Sequence, residues 1–148
     1  MALAETGTHA VVGAVLSPLR HGETRAAPAL LTALDASQCL LADRGCFSYA
    51  LWTQAAATGA ALVWRVRQDL RLPVLASCAD GSYRGRLYPT RTAPRRDQDG
   101  VDVRVITYTL APPPAYRLLT TWLDPAEAPA DELPALLRIL AGLGHRVE

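Results

Sequence analysis

Cys39-Leu40-Leu41-Ala42-Asp43-Arg44-Gly45-Cys46-Phe47-Ser48-Tyr49 decides the fold. A short apolar run ends on a carboxylate, a glycine turn follows, and Ser48 is placed to cap a new helix. The pattern predicts a strand over 39–42 that presents Asp43 at its carboxyl end. In open α/β sheets that edge carries the chemistry. One carboxylate does not make a hydrolytic metal site, so the reading turns on what stands beside Asp43.

Working outward, Leu3 to Glu5 and His9 to Leu16 read as two strands over 2–6 and 9–16, joined by a turn at Gly7. Residues 24–34 read as a helix with Pro28 near its first turn. The helix that Ser48 opens runs to Thr58, with Gly59 as its stop. Ala61 to Val66 is the next strand. Strands are then expected over 73–78 and 82–88, with the turn signal Asp80-Gly81 between them. The polar stretch 90–100 reads as a loop, 101–110 and 116–123 as strands, and 131–140 as a helix. The whole is a mixed α/β sheet with a β-rich insert, divided as 1–66, 67–115 and 116–148.

With 148 residues, half of them apolar and a fifth charged, the chain can bury a core and is globular. Net charge is +1, and all 15 cationic residues are arginine. The three cysteines, Cys39, Cys46 and Cys78, lack metal-ligand spacing and fit free thiols in a reducing cytoplasm. No apolar run is long enough to span a bilayer. His9, His21 and His145 form no zinc motif, no nucleophile elbow is present, and Gly142-Leu143-Gly144 follows a helix and not a strand. Trp52, Trp64 and Trp122 read as core residues ahead of base-stacking ones.

Between Arg65 and Arg96 stand eight arginines against two acids, Asp69 and Asp80. Such a stretch suits a phosphate backbone or, as Asp97, Asp99 and Asp102 follow, a solvated and partly neutralised surface. Charge alone supports both equally.

Residues 1–131 resemble the DDE-class transposases of bacterial insertion sequences, in the group named after insertion sequence four. The matching stretches are Ala2-Leu3-Ala4-Glu5-x-Gly7-Thr8-His9-Ala10, Gly22-Glu23-Thr24, Ala27-Pro28-Ala29-Leu30-Leu31 and Leu40-Leu41-Ala42-Asp43-Arg44-Gly45-x-Phe47-Ser48-Tyr49-Ala50-Leu51-Trp52. Leu72-Pro73-Val74-Leu75, Asp80-Gly81-Ser82-Tyr83 and Tyr116-Arg117-Leu118-Leu119-Thr120-Thr121 follow in order. The resemblance implies a ribonuclease-H-like sheet with a β-rich insertion before the last catalytic helix. It implies DNA transposition through metal-dependent DNA cleavage and strand transfer, with two Mg²⁺ ions on Asp, Asp and Glu. Asp43 matches the second of these acids, as catalytic residue and metal ligand. Arg44 beside it, and Arg84, Arg86, Arg91, Arg95 and Arg96 in the insert, are the DNA-binding candidates.

Two departures qualify the match. The first acid and the strand carrying it would precede residue 1, and 136–148 lacks the tyrosine and glutamate pattern of the last helix, Glu148 being terminal and beyond Gly142 and Gly144. The expectation is a transposase fragment that is catalytically incomplete alone and binds Mg²⁺ weakly. Alternatives are a non-catalytic DNA-binding or regulatory remnant and a pseudogene product. Its partners would be DNA and further copies, as a homo-oligomer or a mixed oligomer with an intact transposase, with no membrane. Without its first strand the sheet would have a gap. Either strand 2–6 moves beside strand 39–42, the halves separate, or another chain fills the space.

Overall fold

Strand β3 (Cys39–Ala42) and strand β4 (Ala61–Val66) run parallel, with Cys39 opposite Ala61 and Ala42 opposite Trp64. Parallel neighbours need a crossover, and helix α1 (Tyr49–Ala56) supplies it. Ser48 opens the helix as the sequence predicts, its Oγ accepting from the Leu51 N–H at 3.2 Å. Gly59 ends the crossover at φ +84°, a conformation that a side chain would strain. These elements belong to a computed structural model that describes residues 2–8, 10–15, 27–89, 100–109 and 115–136.

The sheet continues from β4 through antiparallel pairings. Its other strands are β5 (Val74–Ser77), β6 (Tyr83–Leu87), β7 (Val101–Thr109) and β8 (Ala115–Thr120), and the order is β3-β4-β8-β7-β6-β5. The expected mixed α/β sheet is therefore present. The strands of 67–115 extend the same sheet as β3, β4 and β8 and do not form one of their own. Asp80-Gly81 makes the turn between β5 and β6, with Gly81 at φ +80°.

The first two strands stand apart. β1 (Ala2–Ala4) and β2 (Val11–Ala14) pair only with each other, and β3 lies at the edge of the larger sheet. Strand β1 does not pair beside β3.

Alternation along the strands loads both faces of the large sheet. On one face Leu62, Trp64, Val103, Val105 and Leu119 meet Leu51, Trp52 and Ala55 of α1. Trp52 and Trp64 are fully buried, 6.0 Å apart between ring centroids, and Phe47 sits edge-on at 5.8 Å from Trp64. On the other face Val63, Ile106 and Leu118 are covered by Ala128 and Leu133, with Trp122 partly buried beside them. Trp52 and Trp64 are core residues, as predicted, and Trp122 packs against the core from its margin.

Several predicted elements shift. The helix expected over 24–34 is seen as a helical stretch over 27–30 that tightens into a 3-10 turn at Leu31–Ala33. The strand expected to reach 123 stops at Thr120. There Thr121 N donates to Leu62 O at 3.2 Å and its hydroxyl accepts from Leu62 N at 2.9 Å, closing the ladder. Of the helix expected over 131–140, residues 133–136 are helical. The loop over 90–99 lies outside the described residues.

Candidate functional site

Asp43 leaves the carboxyl end of β3 where the sequence puts it. Its backbone is fixed from below, since Trp64 Nε1 donates to Asp43 O at 3.0 Å. Its side chain caps the 3-10 turn Arg44–Cys46, Oδ1 accepting from Arg44 N at 2.6 Å. The parallel register that sets Ala42 against Trp64 brings Arg65 alongside. The Arg65 guanidinium grips the carboxylate with both prongs, Nε to Oδ1 and Nη2 to Oδ2, the latter at 2.7 Å.

Arg65 is itself held. Its Cζ lies 5.5 Å from the centre of the Tyr116 ring, and Tyr116 stacks on Tyr108 at 5.4 Å. A cation over an aromatic face is attracted by the ring quadrupole. The result is a row across the sheet: carboxylate, guanidinium, phenol, phenol.

Partial burial works against ionisation of Asp43. The Arg65 fork, the Arg44 N–H and the charges of both arginines outweigh it and hold the carboxyl below its usual range. The same fork raises the Arg65 guanidinium above its already high value. Both groups stay charged at neutral pH, and both carboxylate oxygens are engaged. A divalent ion prefers several oxygen ligands. Among the described residues no group of three His, Cys, Asp or Glu could hold one. The described surroundings of Asp43 therefore do not fit a Mg²⁺ site.

Of the other predicted site residues that are described, Arg44 lies at Asp43 and Arg84 and Arg86 lie away from it. Arg44 is exposed beside it. Arg84 and Arg86 lie on β6, separated from β3 in the sheet by β4, β8 and β7. Both turn toward Asp102 of β7, at 3.3 Å and 3.4 Å, so one carboxylate partly neutralises two guanidiniums. Arg67 is likewise paired, with Asp69 at 2.7 Å. Arg91, Arg95 and Arg96 lie outside the described residues. The basic stretch is thus partly answered within the fold, which favours the solvated-surface reading for Arg65, Arg67, Arg84 and Arg86.

Two arrangements were not anticipated from sequence. One is the Asp43–Arg65 clamp itself. The other is Arg104, whose side chain is fully buried in β7. Its Nε donates to Ser82 Oγ at 2.7 Å, its Nη1 to Ala128 O at 2.6 Å, and its Nη2 to Asp80 Oδ2. Asp80 Oδ2 also accepts from Ala130 N at 3.1 Å. A buried charge needs such a cage. No sequence signal marks it, since Arg104 takes a polar position in the alternation Val101-Asp102-Val103-Arg104-Val105.

Compared with protein-family models, curated proteins and solved structures, the chain finds no match.

Proposed function

We propose that the chain is a piece of a ribonuclease-H-like DDE transposase core that binds DNA without cutting it. The observation that carries this reading is the clamp on Asp43. A carboxylate already bound on both oxygens by a guanidinium is a poor ligand for a metal that must neutralise a phosphodiester in displacement. Support for the lineage comes from the ordered matching stretches and from the strand–turn–helix–strand unit that carries Asp43. Support for DNA as partner is the arginine-only cation set. A cytoplasmic place and mixed assembly with an intact transposase belong to the same proposal.

A supercoiled-plasmid nicking assay with Mg²⁺ or Mn²⁺, run beside a duplex gel-shift assay, tests it. The expected result is no nicking, with a salt-dependent shift weakened by Arg95→Ala and Arg96→Ala together. Nicking that disappears in Asp43→Ala would overturn the non-catalytic reading.

A further inference from the structure

Loop 67–73, between β4 and β5, is bordered by three depressions that share lining residues. One of about 420 Å³ lies between Arg44, Tyr49 and Tyr88. It meets a larger one of about 950 Å³ at Leu70, Leu87 and Tyr88, which continues to Arg71, Tyr83 and Arg117. A third, of about 480 Å³, joins the first at Arg44 and Arg67. They form one trough that wraps the loop.

Its lining is unusual in two respects. Guanidiniums outnumber acids: Asp69 answers Arg67, Arg44 is exposed with its amide on the Asp43 carboxylate, and Arg71 is exposed. Arg117 fixes the loop by donating from Nη1 to Leu70 O at 2.7 Å, and its buried Nε has no hydrogen-bond partner. Tyr49 and Tyr88 line the first depression and Tyr83 and Tyr88 the second, each half-buried. Cations together with aromatic rings suit a chain of phosphates whose bases are free to stack. A duplex hides its base faces, and an acidic peptide has no flat group for the rings.

We infer that this trough binds single-stranded nucleic acid, phosphates on Arg44 and Arg71 and a base on Tyr88. This deepens the DNA-binding reading above and rests on it, but it concerns a different surface from Arg95 and Arg96.

Fluorescence anisotropy with a labelled oligothymidylate of about a dozen nucleotides, beside a labelled duplex, tests it. The wild-type protein is expected to bind the single strand. Arg44→Ala with Arg71→Ala should weaken that binding about tenfold and lower its salt slope by about 1.4, at about 0.7 per phosphate contact. Tyr88→Ala should weaken it to a similar extent and Tyr88→Phe should not. Circular dichroism checks that each variant is folded. Folded variants that bind the single strand like wild type overturn the inference. So does a protein that binds duplex but no single strand, and this leaves the DNA-binding reading standing. Single-strand binding lost in the variants, with no duplex binding, sustains the trough and sinks the duplex reading. Binding of neither probe sinks both.

Discussion

At the scale of the residue, Asp43 shows how a site candidate becomes a structural pair. Its position at a strand end was legible, because an apolar run closing on a carboxylate and a glycine turn leaves little choice. Its partner was not, because Arg65 reaches it only through the parallel register of β3 and β4. The pair is about half exposed on the carboxylate side, so its energetic weight is small. Asp43→Ala should lower the melting temperature by about 2–4 °C through the lost pair and cap. A double-mutant cycle with Arg65→Ala should give a coupling below about 1 kcal/mol. A coupling well above that value would show that the pair is more shielded than its exposure implies.

Acid should reveal the same group. The carboxyls of Asp43 and Asp80 titrate below their ordinary value of 3.8 in the folded chain. Each therefore contributes stability fully above that value and loses it as pH falls through the depressed one. Thermal melts should be flat from neutral pH to about pH 5 and fall below about pH 4. Asp80→Asn should flatten the acid limb. A stability loss centred near pH 6 would point to other groups.

At the scale of the element, β3, β4 and α1 match their predicted bounds closely, because cap, stop and apolar run agree with one another. The C-terminal stretch was harder. The segment after Thr120 is shaped by tertiary bonds to Leu62 and to Arg104, which local pattern does not contain. Arg104 joins β7 to the β5–β6 turn and to the segment over 122–130. Arg104→Ala would leave Asp80 and the Ala128 carbonyl short of a partner, at a cost of about 3–5 kcal/mol. A melting temperature about 10 °C lower is expected. Arg104→Lys should not rescue it, since an ammonium cannot reach three acceptors in one plane. A near-native melt for Arg104→Ala would refute this.

At the scale of the whole molecule, the large sheet ends on β3 and β5, and the small sheet of β1 and β2 stands apart. That β1 and β2 pair with each other and not with β3 was not legible, since the same local pattern satisfies either pairing. β5 carries neither charge nor proline, and its Val74 and Leu75 are 61% and 51% exposed. Open edges of this kind pair with other chains unless blunted. Sedimentation should show concentration-dependent association, and Leu75→Lys should reduce it. A monomer at all concentrations would exclude that edge as a contact.

Asp80 accepts from the amides of both Ser82 and Ala130, and Arg104 donates to Asp80, the Ser82 hydroxyl and the Ala128 carbonyl. The hairpin and the distant tail are thus bolted to one carboxylate. Neither can fray without exposing the other, so the Ser82 and Ala130 amides should trade deuterium at matched opening free energies.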